Sequence, residues 1–145
     1  MDEAELLKQT PLFKNLGADD IERMAQSTRI QNYKAGQTIV IEGRVGAAFF
    51  IVVSGSVEVF KRRKDSDEVV LATLGAGEFF GELATMRHVP RSANVRALQD
   101  TTCLIIRRAD FESYIRQFPD VAEVVESTLI ARFGESQDEE GKEGV

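Results

Sequence analysis

The middle of the chain, from about Arg29 to Arg108, alternates short runs of β-branched and aromatic residues with glycines. Such runs are typical of strands, and regularly spaced strands and turns predict a sandwich or barrel. Glycines are expected in the turns because they tolerate positive φ. The runs lie at residues 37–41, 49–53, 57–60, 69–71, 93–97 and 103–106. This part of the chain is therefore predicted to be mainly β.

A helical pattern precedes the β region. Leu6 and Leu7 come shortly before Thr10-Pro11, where a helix is expected to stop. Gly17 is expected to cap a second helix, whose buried stripe would hold Ile21, Met24 and Ala25. The polar segment 61–67 between two strands is predicted to be a solvated hairpin loop rather than a nucleic-acid-binding patch, because acidic residues accompany its basic run.

A second helical pattern follows the β region. Asp110 is expected to cap a helix over residues 111–117, and Pro119 suits the first position of another helix. That last helix is expected to end near Gly134. Its buried face is predicted to contain Val121, Val124, Val125 and Leu129, which recur at three- and four-residue steps.

The end of the chain is acidic. Residues 134–145 contain five acids, one lysine and a single aliphatic residue. Such a segment buries too little apolar surface to offset its ordering entropy. We predict one domain over residues 1–134 and a disordered acidic tail over residues 135–145, interpreted as a solubilising terminus rather than a partner-binding tail.

Charge and hydropathy exclude several functions. A net charge of −6 argues against a nucleic-acid-binding surface. No stretch approaches the ~20 apolar residues of a membrane helix, and the acidic N-terminus does not resemble a signal peptide, so a cytoplasmic location without membrane association is expected. The single cysteine, Cys103, lies in an apolar run and is predicted to be a buried thiol.

One window, residues 77–93, combines groups suited to a phosphate joined to a sugar. Gly81 permits close backbone approach, and a short helical turn at residues 83–86 would expose amides near Leu83 and Ala84 to an anion. The planar guanidinium of Arg91 suits bidentate contact with phosphate oxygens. A carboxylate at Glu82 would repel phosphate, but it could accept a hydrogen bond from a sugar hydroxyl.

This window resembles the phosphate-binding cassette of cyclic-nucleotide-binding domains, as found in catabolite activators, kinase regulatory subunits and nucleotide-gated channels. Two segments carry the resemblance, Phe80-Gly81-Glu82-Leu83-Ala84 and Pro90-Arg91-Ser92-Ala93. Thr10-Pro11-Leu12-Phe13, Glu42-Gly43 with Gly46, and the segment 54–59 extend it over about residues 6–134.

The resemblance implies an eight-stranded β-roll of the jelly-roll type, with N-terminal helices and C-terminal lid helices. It implies that Arg91 binds the cyclic phosphate and Glu82 the ribose 2′-OH. The backbone of Gly81, Leu83 and Ala84 and the Ser92 hydroxyl would complete the site, flanked by Phe80 and Ala93. It also makes Arg132 a candidate to stack on the base, against the alternative of a solvent-facing residue.

The expected function is that of a stand-alone ligand sensor or regulatory module, not an enzyme. By the same resemblance Ser92 favours cAMP over cGMP, although a serine hydroxyl could also bond the guanine amino group, and no cofactor or metal is expected. The expected partners are the cyclic nucleotide and a downstream effector of unknown identity, with the chain a monomer or weak dimer.

Three alternatives have distinguishable requirements. A cupin-type enzyme needs several metal ligands, whereas this chain has one histidine. Transcriptional regulation needs a helix-turn-helix after the long helix, so no DNA binding is expected of this chain alone. A ligand-free interaction domain with the same fold remains the main alternative.

Overall fold

The computed structural model describes residues 1–45, 48–64, 67–81, 91 and 93–133. Of residues 129, 132 and 133 it describes the backbone alone. The predicted turn at residues 83–86, the helix stop at Gly134 and the acidic tail lie outside this part of the chain. The tail's disorder and the domain boundary stay predictions.

Helices flank a β region, as the sequence predicts. At the N-terminal side lie α1 (Glu3–Gln9), a 3₁₀ helix (Pro11–Phe13) and α2 (Ala18–Gln26). At the C-terminal side lie α3 (Arg108–Gln117) and α4 (Pro119–Phe133). The described strands are β1 (Thr28–Tyr33), β2 (Thr38–Val40), β3 (Ala48–Ser54), β4 (Ser56–Arg62), β5 (Glu68–Gly75), β6 (Phe79–Phe80), β7 (Asn94–Ala97) and β8 (Thr101–Arg107).

The described strands form two antiparallel four-stranded sheets. The first sheet has the order β1-β8-β3-β6, and the second has the order β2-β7-β4-β5. Non-consecutive strands are therefore neighbours in both sheets, as expected when the chain winds into a roll. This arrangement confirms the predicted eight-stranded β-roll. The pattern in the sequence missed β1, which is polar along most of its length, and β6, which has only two residues.

The roll has two apolar cores, one on each face of the first sheet. The inner core lies between the sheets and includes Phe50, Phe80, Val95, Cys103 and Ile105. The outer core lies between the first sheet and the helices, and includes Phe49, Leu104, Phe111, Val121 and Val125. Successive side chains of a strand point to opposite faces, so Phe49 and Phe50 serve different cores.

Two details of the C-terminal helices differ from the prediction. Helix α3 begins at Arg108 with Arg107 as its N-cap residue, so the expected cap at Asp110 was wrong. Asp110 lies in the first turn, where its Oδ2 accepts a hydrogen bond from Arg107 Nε at 3.1 Å. In α4, Val121 and Val125 are buried as predicted, but Val124 is 42% exposed because it lies beyond the edge of the buried stripe.

Candidate functional site

Arg91 is a buried charged residue with only 6% of its surface exposed. Its backbone is held by the turn that follows β2: its N–H donates to the Arg44 carbonyl at 2.7 Å, and its own carbonyl accepts from the Gly43 N–H at 2.8 Å. Three residues later, the Asn94 side chain accepts from the Glu42 N–H at 2.9 Å. Hydrogen bonds thus connect the turn at residues 41–44 to Arg91 itself and to Asn94 at the start of β7.

The guanidinium of Arg91 is oriented by carbonyl oxygens. Nη2 donates to the Ala48 carbonyl at 2.7 Å, and Nη1 donates to the Gly81 carbonyl at 3.3 Å. The guanidinium carbon lies 5.9 Å from the centroid of the Phe50 ring. Because a buried guanidinium is costly without hydrogen bonds, these contacts offset part of the cost of burying its charge.

Gly81 makes room for this guanidinium. Its φ is +94°, a conformation that other residues rarely adopt. A Cβ added there would lie 2.8 Å from the Ala48 carbonyl oxygen and 3.0 Å from Arg91 Nη1. The sequence suggested glycine for close approach to a ligand, but the structure gives a reason within the protein itself.

Phe80 and Ala93, the flanking members of the predicted set, are completely buried in the inner core. Phe80 stacks on Phe50 with ring centroids 4.7 Å apart and the planes 4° from parallel. Ala93 directly precedes β7. Both residues support the backbone that carries Gly81 and Arg91, and their side chains do not line the cavity beside Arg91.

The remaining predicted site residues cannot be placed. Glu82, Leu83, Ala84 and Ser92 lie outside the described residues, and so does the side chain of Arg132. The structure thus brings together Phe80, Gly81, Arg91 and Ala93 from the predicted set.

A cavity of about 210 Å³ lies beside Arg91. Its walls are mostly apolar: residues 39–41 of and after β2, Val45, Ala48 and Phe50. Arg44 is a second arginine in this lining. A mostly apolar pocket with a few charged groups is typical of sites for small organic ligands. Sequence reasoning missed Arg44, although it directly follows the Glu42-Gly43 motif.

A wider cavity of about 520 Å³ adjoins the first, because Ala48 lines both. Residues 26–28, Arg29, Ile105 and Arg107 complete its lining. In the first sheet Arg29 lies opposite Ile105, and Arg107 lies opposite Ala48. Side chains directly opposite one another lie on the same face of a sheet. Arg29 and Arg107 therefore lie on the face that carries the inner core, at one end of it.

Arg96 occupies a different setting, on the second sheet. Its Nη2 lies 2.6 Å from Glu58 Oε1 and 2.8 Å from Glu68 Oε1, and its guanidinium carbon lies 4.1 Å above the Phe60 ring. The hydrogen bond from Arg96 lowers the pKa of Glu68, and the hydrogen bonds from Glu68 and Glu58 raise the pKa of Arg96. This ion-pair network joins strands β4, β5 and β7.

Other reactive groups are sparse in the described part of the chain. Cys103 is completely buried, as predicted, and burial raises the pKa of its thiol to about 12. Within the described residues, no three His, Cys, Asp or Glu side chains are grouped as metal ligands would be. None of the described helices has the length and apolar character needed to cross a bilayer.

Comparison with known proteins identifies the family. The model of the cyclic nucleotide-binding domain matches residues 30–118, well over half of the chain. The cyclic AMP receptor protein of Thermus thermophilus is 33% identical over 90% of this chain. The chain spans 60% of the length of that relative.

Solved structures agree with this result. The Thermus thermophilus catabolite activator protein superimposes with a TM-score of 0.74 at 34% identity, covering 84% of this chain and 57% of that one. The regulatory domain of Toxoplasma gondii PKA, crystallised with cAMP, also gives a TM-score of 0.74, at 26% identity over 88% of this chain and 48% of that one. The chain therefore belongs to the cyclic nucleotide-binding domain family, whose members are ligand-binding regulatory domains with this β-roll fold.

Proposed function

We propose that this chain binds a cyclic nucleotide, with the Arg91 guanidinium paired to the cyclic phosphate and Glu82 to the ribose 2′-OH. The backbone of Gly81, Leu83 and Ala84 and the Ser92 hydroxyl complete the site. The observation that carries this proposal is the burial of Arg91 in the wall of a mostly apolar cavity. A charged group in such a position interacts with an anion far more strongly than an exposed one does.

The proposed ligand is cAMP in preference to cGMP. The T. thermophilus relative is named for cyclic AMP, and the T. gondii regulatory domain was crystallised with cAMP. Ser92, next to Arg91 in the sequence, also favours cAMP by resemblance to other members of the family.

Ligand binding is proposed to act through the C-terminal helices, and β3 offers the physical connection. On one face of this strand, Phe50 stacks on Phe80 beside Gly81 and Arg91. On the other face, Phe49 stacks on Phe111 of α3, with ring centroids 4.1 Å apart. A shift of β3 on ligand binding therefore changes the packing of α3. Because Val121 and Val125 of α4 belong to the same outer core as Phe111, the shift reaches α4 as well.

The output of this movement is a proposal as well. The helices α3 and α4 move over the base, with Arg132 as the residue that stacks on it. The chain then acts as a regulatory module in the cytoplasm, as a monomer or weak dimer, and reports to an effector that is a separate protein or another part of the same one. Ligand selects between these states only through its different affinity for them.

Calorimetric titration of the whole chain with cAMP and with cGMP tests the proposal. We expect both to bind and cAMP to bind more tightly, and we expect 5′-AMP, which lacks the cyclic phosphate, to bind much more weakly. Ligand at 100 times its Kd should stabilise the folded chain by about 2.7 kcal/mol and raise its Tm. If millimolar cAMP and cGMP produce neither heat nor a Tm shift, the chain is instead a ligand-free interaction domain.

A further inference from the structure

The two adjoining cavities concentrate positive charge on a protein whose overall charge is negative. Arg44 and Arg91 line the smaller cavity, and Arg29 and Arg107 line the larger one. Among the described lining residues of both cavities there is no aspartate or glutamate. The whole chain carries a formal charge of −6, so the described linings of these two cavities are opposite in sign to the net charge of the chain.

The four arginines divide into two kinds. Arg91 is buried and its guanidinium is hydrogen-bonded to carbonyls, and Arg107 donates to Asp110. Arg29 and Arg44, like Arg107, are exposed side chains at the margins of the two cavities, and what distinguishes Arg107 is its hydrogen bond to the Asp110 carboxylate. Their positions follow from the fold: β1 pairing with β8 sets Arg29 opposite Ile105, and the hydrogen bond from the Arg91 N–H to the Arg44 carbonyl sets the turn.

We infer that Arg29 and Arg44 form an electrostatic funnel that speeds the capture of an anionic nucleotide by the site at Arg91. Concave sites lined by one sign of charge raise the local concentration of an oppositely charged ligand and its association rate. Exposed charges of this kind change the association rate and its salt dependence, whereas buried contacts change dissociation. The inference rests on the proposed function and assigns to it two residues outside the phosphate-binding cassette.

The turn that carries Arg44 is held in place by hydrogen bonds to two buried residues, Asn94 and Arg91. Asn94 is only 8% exposed, and its side chain accepts a hydrogen bond from the Glu42 N–H. The Gly43 N–H donates a hydrogen bond to the Arg91 carbonyl. Arg44 therefore starts from a fixed backbone position next to Arg91, although its side chain is exposed. The positive charge of Arg44 therefore stays close to the site, where it attracts an approaching anionic ligand.

Stopped-flow binding of a fluorescent cAMP analogue to the full chain tests the inference. The double variant Arg29→Gln and Arg44→Gln removes two positive charges at the cavities. The matched control, Lys8→Gln and Arg116→Gln, removes two exposed charges from α1 and α3 on the other face of the first sheet. At low ionic strength we expect the cAMP analogue to associate about three- to tenfold more slowly with the Arg29/Arg44 double variant than with the control double variant.

Salt dependence and dissociation complete the test. Near 0.5 M salt the difference between the two pairs should nearly vanish, because screening acts within a few ångströms. The dissociation rate should change less than twofold. Equal association rates for the two double variants would overturn the inference. So would a loss of affinity that comes from faster dissociation and does not depend on salt concentration. If the unaltered chain binds no cyclic nucleotide, the proposed function fails, and the funnel fails with it; if it binds but the pairs behave alike, the funnel alone fails.

Discussion

Arg91 and Arg96 lie five residues apart in sequence, yet the fold uses them in opposite ways. Arg91 is 6% exposed, contacts carbonyl oxygens of Ala48 and Gly81, and lines a cavity. Arg96 lies at the surface of the second sheet, between the carboxylates of Glu58 and Glu68 and above the Phe60 ring. One guanidinium faces a space that a ligand can fill, whereas the other joins three strands.

This difference shows that an arginine's role depends on what surrounds it. The contacts of Arg96 with two carboxylates serve the stability of the second sheet, since surface ion-pair networks contribute modestly to folding. The contacts of Arg91 with carbonyl dipoles orient its guanidinium toward a cavity, which suits binding. Variants of the two residues should therefore change different measurable properties.

The largest expected effect separates affinity from stability. Arg91→Gln should weaken cAMP binding about 100-fold, near 2.7 kcal/mol, because it removes charge-assisted hydrogen bonds to the phosphate. Arg96→Gln should change the Kd less than threefold but lower the stability by about 1 kcal/mol and the Tm by about 3 °C. Calorimetry and thermal unfolding of both variants measure this contrast, and equal losses of affinity would break it.

A smaller effect concerns how Arg91 is held. Gly81→Ala should destabilise the fold by about 2 kcal/mol and weaken cAMP binding about tenfold, because the added Cβ strains a positive φ and displaces the guanidinium. Gly36→Ala is the matched control, since Gly36 has a φ of +87° with no atom near the added Cβ. It should lose only about 1 kcal/mol of stability. Similar affinities for the two variants would show that Gly81 does not position Arg91.

The smallest effect concerns pH and the network at Arg96. Arg96 lowers the pKa of Glu68 from its ordinary value of 4.5, so ionised Glu68 stabilises the fold above pH 4.5. That contribution is lost as the pH falls through the lowered pKa. Glu68→Gln should therefore be less stable than the unaltered chain at pH 7, and the difference should shrink below pH 4.5. Urea unfolding at pH 7 and pH 3.5 measures it; a difference that grew on acidification would contradict the assignment.

The strands that the sequence predicted best are those with continuous apolar runs. Strands β3 and β8 were predicted because both faces of the first sheet are buried, one in each core, so these strands are apolar along most of their length. β1 was missed because its pattern, with one buried residue in six, resembles a loop. Asp110 looked like a cap since it precedes an apolar residue, but the helix begins two residues earlier, directly after β8.

Part of the candidate site was also readable. Gly81 and Arg91 were predicted from one short window, and the structure places them in contact. Arg44 and Arg29 were not, because they are 47 and 62 positions before Arg91 in the sequence. Only the pairing of β1 with β8 and the hydrogen bonds between Arg91 and the turn at residues 43–44 bring them to the same end of the roll.

By itself, the sequence determined a mainly β region with flanking helices, because side-chain periodicity is a local property. Short motifs, which are also local, marked the family, and the β-roll was implied by that resemblance. The tertiary structure decided which arginine is buried, which is paired with carboxylates, and which surround the cavity. The physical reason is that burial and charge pairing depend on strands far apart in the chain. Arg91 and Arg96 have identical side chains, and only the surroundings that folding gives them set their roles apart.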